Sequence, residues 1–310
     1  MKTFIKKTLL FIVPLFVIGI GIEIMLRNVP NPYTFKRSII EENLSEIKHL
    51  CLGSSVMNNG FDPSYFADSS FNFSFGGQWL RYNYSLLDKY IDSMPNLENI
   101  LLGVCYRTMW EDELQPVTGE TEDDMITYYN LYLNLTENTS WIHYSEFLST
   151  GHLAFKKFTK HYISNKQTVM CDSLGLDHAK DGMKEDEKKY GELEDMVDKH
   201  TKYHYKSATE VYLRNIKYLE QIAQLCHENS VNLHIVIPPS LDEYCTLADS
   251  SQLQLMYSAL DKIDEYRNNV YVHDYFSDNR FTDNDFYDGN HLRSSVGAIK
   301  FTKILSNDIL

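Results

Sequence analysis

The sequence predicts an α/β fold: a three-layer α/β/α sandwich around a mostly parallel sheet, with a helical insertion and one N-terminal transmembrane helix. Three observations predict it. Short apolar runs that stop at glycine or proline alternate with amphipathic runs at helical spacing. Residues 112–206 interrupt that alternation with acidic and aromatic residues and no strand pattern. A long apolar run lies near the start of the chain.

The elements follow in order. Lys2, Lys6 and Lys7 precede an apolar run from Leu9 to Ile22 that continues through Leu26, broken only by Glu23. Its length is close to the ~20 residues that span a bilayer, and the preceding lysines favour a cytoplasmic N-terminus with the remaining chain exported. Glu23 then falls near the outer interface, where its charge costs less. A cleaved signal peptide is the competing reading. Gly19 and Gly21 are small residues near a cleavage position, but no Ala-x-Ala is present, so the anchor, over residues 1–27, is preferred. Residues 28–47 read as a linker with Pro30, Pro32 and a short polar helix.

An α/β domain is expected over 48–310. His49 to Leu52 is a buried strand ending at Gly53, and Phe71 to Phe75 a second ending at Gly76-Gly77. Leu80 to Ile91 has helical spacing, with Tyr84, Leu87 and Ile91 on one face. Ile100 to Tyr106 is a third strand. After the insertion, Ala208 to Cys226 is an amphipathic helix with Tyr212, Ile216, Leu219, Ala223 and Cys226 as its apolar stripe. Leu233 to Ile237 is a strand stopped by Pro238-Pro239. A helix over Leu253 to Tyr266, a strand at Val270 to Val272 and a closing helix over Ser294 to Leu305 complete the pattern. In such sheets ligands bind beyond the carboxyl ends of the strands.

Composition removes several function classes. Among 310 residues, 43 are acidic and 29 basic, a net charge of −14, which disfavours nucleic acid as a partner and broad docking onto anionic lipid. The five cysteines form no Cys-x-x-Cys pair, so no zinc or dithiol motif is present. Asp283 to Gly289 resembles a calcium loop but fails its register, with Tyr287 at a ligand position and Asp288 where glycine belongs. No metal and no cofactor is expected. Ser45 to Lys48 spells Ser-x-x-Lys without companion motifs.

Three segments carry residues suited to acyl chemistry. Gly53-Ser54-Ser55 follows the first strand directly, a place where a serine hydroxyl is presented at a strand-to-helix turn; helix capping is the plainer use of those residues. Asp288-Gly289-Asn290-His291 holds a carboxylate and an imidazole three residues apart. Histidine is the side chain best tuned to take a serine proton near neutral pH, and a carboxylate orients it. A surface loop whose Asp288 and Ser294 cap turns is the alternative. Gly76-Gly77-Gln78 ends the second strand, where a glycine N–H can face an oxyanion or merely form a tight turn.

In that order, these segments resemble the blocks of the SGNH (GDSL-type) hydrolase superfamily across about residues 48–310, leaving 112–206 unmatched. The resemblance implies a flavodoxin-like sandwich. It also implies a Ser55 nucleophile with Ser54 at the variable position, Asp288 and His291 as its partners, and an oxyanion glycine at Gly77 or Gly76, with Gly77 favoured. The family's Gly-x-Asn after the third strand is not kept: Gly103-Val104-Cys105 puts Cys105 where the oxyanion asparagine belongs. Either another donor, such as Gln78, replaces it or turnover is slow. A single anchor with such a domain resembles the envelope branch of the superfamily, including DltD-like and alginate-acetylation proteins. That implies a periplasmic or cell-surface esterase or O-acyltransferase, an acylated glycan or other ester as substrate, and a multi-pass membrane acyltransferase as partner. A non-catalytic envelope binding or assembly scaffold is the reading from another class.

Overall fold

The computed structural model describes residues 1–112, 122–135, 140–182, 190–204, 208–266 and 268–310. In chain order its elements are α1 (Lys2–Arg27), α2 (Pro32–Glu42), β1 (His49–Leu52), α3 (Ser55–Gly60), β2 (Ser70–Asn72), α4 (Leu80–Tyr90), β3 (Asn99–Gly103), α5 (Glu122–Leu133), α6 (Glu146–Ser149) and α7 (Gly151–Phe158). These are followed by α8 (Tyr190–His200), α9 (Ala208–Glu228), β4 (Asn232–Ile237), α10 (Asp242–Leu247), α11 (Ser250–Tyr266), β5 (Val270–Asp274) and α12 (Gly297–Ile309).

The chain divides into two compact units, one formed by Met1–Arg37 with Thr121–Met170, the other by Ser38–Glu120 with Cys171–Leu310. The second holds one five-stranded sheet in the order β2-β1-β3-β4-β5, parallel at every pairing. This is the expected α/β architecture. All of β1 and β3 is buried, as a strand covered on both faces requires, and this is why both are apolar after their first residues, His49 and Asn99. The order reverses direction at β1: the chain steps to β2 on one side, then to β3 on the other. The loops leaving β1 and β3 therefore diverge, opening a crevice at their carboxyl ends.

Helix α9 packs its buried residues on a slightly different stripe from the expected one. Val211, Asn215, Leu219, Ile222, Ala223 and Cys226 are buried, while Tyr212 and Ile216 flank them half-buried. The shift has a polar cause. Asn215 Nδ2 lies 3.3, 3.1 and 3.2 Å from the carbonyls of Thr108, Met109 and Glu111, so a core position is given to fastening the turn after β3. On α4, Leu86 and Leu87 are buried and Tyr84 sits half-buried, its ring 6.1 Å from that of Tyr218 on α9.

The first unit is helical. Thr3–Arg27 is long and apolar enough to cross a membrane, with a mean hydropathy of 2.6 and almost no buried surface. Its Glu23 accepts hydrogen bonds from Ser145 Oγ at 2.9 Å and from the backbone N–H of Glu146 and Phe147 at 3.1 and 3.0 Å, capping the start of α6. Lys157 on α7 lies 2.9 Å from both carboxylate oxygens of the buried Glu146, which also accepts from Tyr132 Oη.

Two glycines allow β1 and β3 to share one side chain beneath the crevice. Gly53 takes φ +149, and a Cβ there meets Met57 Cγ at 2.9 Å; a Cβ on Gly103 meets the same atom at 2.1 Å. Gly103→Ala must therefore displace Met57 from its place under α3. A loss of about 1–3 kcal/mol is expected from overpacking, read as a lower midpoint in urea unfolding; an unchanged midpoint contradicts this packing account.

Candidate active site

Ser55 gets its position from the turn just described. Gly53 bends the chain out of β1, Ser54 stays extended at φ −86 and ψ −163, and Ser55 begins α3. Its side chain is half-buried.

The second half of the site is a tight loop. Phe286 and Leu292 form an antiparallel bridge, and Tyr287 N–H donates to His291 O at 2.8 Å, closing residues 287–291 into a small ring. Within it Asp288 Oδ1 accepts from the N–H of Asn290 at 3.2 Å and of His291 at 2.9 Å, the local bonding that makes aspartate a turn residue. The same carboxylate holds His291 Nδ1 at 2.8 and 2.9 Å. His291 Nε2 lies 2.8 Å from Ser55 Oγ. An ionised carboxylate only accepts, so Nδ1 carries the proton and donates to Asp288. Nε2 is left with its lone pair facing the serine hydroxyl, the tautomer a general base requires.

Burial disfavours the Asp288 charge, yet His291, Lys180 and the Asn290 N–H together hold its carboxyl well below the usual carboxylate range. For His291, burial is the largest influence and lowers its proton affinity. Asp288 opposes that, while the charges of Lys180 and Arg107 reinforce it, and the imidazole ends below its ordinary 6.5.

Lys180 is the residue that sequence reasoning missed. Its Nζ lies 3.3 Å from Asp288 Oδ2, 3.2 Å from His291 Nδ1 and 5.1 Å from the centre of the Tyr287 ring. It sits on a strap, residues 171–181, that touches both halves of the site. On one side Asp177 N–H donates to Asn58 O at 2.9 Å, and Asn59 Nδ2 donates to Asp177 O at 2.9 Å. On the other, Arg293 Nε donates to Asp181 O at 3.0 Å and Ser295 N–H to Asp181 Oδ1 at 2.9 Å. The strap also rides on the sheet edge, where Asn72 N–H donates to Leu174 O at 2.9 Å. Nothing in the charged run around Lys180 distinguishes it by spacing from solvated lysines; only the turn aspartate Asp177, which bonds the Ala179 N–H at 2.8 Å, marks a fixed bend.

The remaining candidates lie along the crevice. Phe75 N–H donates to Gly53 O at 3.3 Å, so Gly76 and Gly77 follow immediately beside the turn that carries Ser55. Gly77 adopts φ +67. The backbone N–H groups of Ser55 and Gly77 bond to no partner among the described residues. Gln78 is buried, its Nε2 donating to Asn83 Oδ1 at 2.5 Å. Cys105 is buried with its N–H donating to Thr108 Oγ1 at 2.8 Å and its Sγ 3.2 Å from the same oxygen. Two residues on, Arg107 pairs with Glu111 at 3.1 Å, and Lys202 Nζ lies 3.8 Å from that carboxylate. His200, whose Nδ1 is 2.7 Å from Tyr244 Oη, is held well below its ordinary value by burial, with Arg107 and His291 adding to it. The five cysteines are free thiols. Among the described residues no cluster of three His, Cys, Asp or Glu side chains is placed to hold a metal ion.

No family model matches the chain, and no curated protein matches it. A solved structure from Streptococcus pneumonia, provisionally named there as a platelet activating factor, is similar at 10% identity. The similarity covers 97% of this chain and 99% of that one, with a TM-score of 0.43.

The geometry of the site fixes the sign of one titration. The His291 midpoint, followed by imidazole nitrogen chemical shifts, is expected below 6.5. Lys180→Met removes a cation beside the ring and should move the midpoint upward, whereas Lys180→Arg should leave it low. A midpoint unmoved by Lys180→Met contradicts the electrostatic role given to Lys180.

Proposed function

We propose that the chain is a membrane-anchored serine O-acyl esterase or O-acyltransferase acting on an acylated cell-envelope glycan. The observation that carries the chemistry is the 2.8 Å approach of Ser55 Oγ to His291 Nε2, with Asp288 holding the other ring nitrogen at 2.8 Å. The order of blocks that resembles the SGNH superfamily supports the same assignment of roles.

Ser55 Oγ attacks the acyl carbonyl while His291 Nε2 takes its proton. Asp288 keeps the ring in the required tautomer and stabilises the imidazolium that forms. The N–H groups of Ser55 and Gly77 take the oxyanion. The proton on His291 then passes to the leaving alkoxide, which departs as an alcohol and leaves an acyl-serine. Water or a sugar hydroxyl, deprotonated by the same imidazole, accepts the acyl group and frees Ser55.

Cys105 bears on rate. Its N–H and its thiol are both engaged by Thr108, so the asparagine donor of the resembling family has no substitute at that position. Losing one oxyanion donor costs about 2.7–4 kcal/mol in well-studied enzymes, roughly 10²–10³ in turnover. Slow hydrolysis suits an enzyme whose acyl-serine waits for a glycan hydroxyl. An anchor read from α1 supports an envelope location, where a multi-pass acyltransferase is a fitting acyl donor. The same engagement of Cys105 favours the second reading, a non-catalytic envelope scaffold.

A serine-directed fluorophosphonate separates the two. Covalent labelling is expected at Ser55, absent in Ser55→Ala and strongly slowed in His291→Ala. Turnover of an aryl acetate should fall by about 10⁴-fold or more in Ser55→Ala. Labelling and turnover that survive Ser55→Ala refute the assignment. A wild-type chain that neither labels nor turns over the ester, with its fold intact, supports the scaffold.

A further inference from the structure

We infer that the helices of residues 140–170 form an interfacial surface that lies on anionic phospholipid at the level where α1 leaves the bilayer. The inference rests on reading α1 as a retained span and adds a second membrane contact to it.

The first argument is placement. A mostly apolar helix of 25 residues, at 1.5 Å per residue, is longer than the ~30 Å hydrocarbon core, so its last turns emerge among headgroups. Those turns are where the segment attaches. Arg27 Nη2 donates to Tyr144 O at 2.5 Å, Tyr162 Oη to Met25 O at 2.9 Å and Thr168 Oγ1 to Pro30 O at 2.7 Å, beside the Glu23 cap on α6.

The second argument is what the segment leaves bare. Trp141 is 75% exposed, Phe155 70% and Ile163 71%, with Tyr144, Phe147 and Leu148 also exposed. Large apolar side chains gathered this densely mark a contact surface, and tryptophan and tyrosine concentrate at membrane interfaces. On α1 itself Ile24 and Met25, beside these attachments, are also exposed.

The third argument is charge. The chain carries −14, yet residues 140–170 contain four lysines against a single glutamate. That glutamate, Glu146, is buried against Lys157, which leaves Lys156, Lys160 and Lys166 exposed with no acidic neighbour inside the segment. Bare aromatic residues with exposed lysines match a lipid surface bearing negative headgroups. The overall acidity that disfavours broad docking on anionic lipid does not extend to this segment.

The test uses the full chain in nanodiscs of phosphatidylcholine and phosphatidylglycerol, with lipids brominated near the headgroup. Trp79 and Trp110 are each 1% exposed, so Trp141 is the tryptophan within reach of such quenchers. Bromolipid should quench the part of the emission that Trp141→Phe removes, and aqueous acrylamide should not reach it. Quenching should weaken when phosphatidylglycerol is replaced by phosphatidylcholine, and in Lys156→Glu/Lys160→Glu. Trp141 open to acrylamide and untouched by bromolipid overturns the inference; so does Trp141 shielded from both, which indicates a protein partner or a second copy. Alkaline extraction reports on the anchor separately. A chain that stays in the membrane with Trp141 unquenched loses the surface and keeps the span, whereas a chain released by alkali loses the span.

Discussion

One contact joins the two ends of the sheet-bearing unit. Ser55 Oγ and His291 Nε2 meet at 2.8 Å although 236 positions separate them in sequence. Such a pair forms only where the sheet brings both loops to one rim. The strand order supplies that place: β1 is where the chain changes direction across the sheet, and the loops on either side of it part. Gly53 and Gly103 let Met57 fill the space between β1 and β3, which seats α3 close to the sheet. A side chain at either glycine would press on Met57, the α3 residue two positions after the serine. The packing beneath α3 therefore helps to fix the distance between the hydroxyl and the imidazole.

Asp288 shows how a buried charge is made tolerable. The carboxylate is nearly inaccessible and meets two backbone N–H groups, the imidazole and an ammonium. Removing a charge from water is costly unless such donors replace the solvent. Lys180 helps Asp288 but opposes the protonation of His291, because a second cation beside an imidazolium is unfavourable. Its proton cannot be donated to Nδ1, which already carries one for Asp288, so Lys180 bonds Oδ2 and acts on the ring through its field alone. The site thus keeps a strongly ionised carboxylate together with an imidazole whose proton affinity lies below its ordinary value.

What was legible in the sequence follows from what is local. Strands β1, β3 and β4 are mostly apolar because both faces of each are covered, and that pattern needs no tertiary knowledge. Ser55, Asp288 and His291 are recognisable because a turn after a strand and a three-residue spacing are written in consecutive residues. Lys180 is not, since its meaning depends on a strap meeting two distant loops. Asn215 misled the helical stripe for a related reason: a polar residue bonding three carbonyls belongs to the core while looking like surface. Helix α10 passed unnoticed because six residues after Pro238-Pro239 hold too few turns to show a period. Residues 112–206 share one composition, yet the compact units part at Met170 and Cys171. Residues after Cys171 bond to α3 and to the loop after His291, whereas residues before Met170 bond to the end of α1.

That division explains why the insertion should be read by its bonding and not by its average. Taken whole, 112–206 is acidic and aromatic and resembles a solvated lid. Divided at its contacts, it holds two pieces with different physical tasks. The later piece carries the ammonium that sets the field on His291, where a single charge within hydrogen-bond distance of a buried carboxylate outweighs many distant ones. The earlier piece concentrates bare aromatics and lysines beside an apolar helix. Solvent-exposed charges are screened over about 8 Å at physiological ionic strength, so a chain of net charge −14 can still present a cationic, apolar surface in one place and a lysine beside a buried imidazole in another. Net charge describes how such a protein behaves at long range; the chemistry is decided by which charges are close.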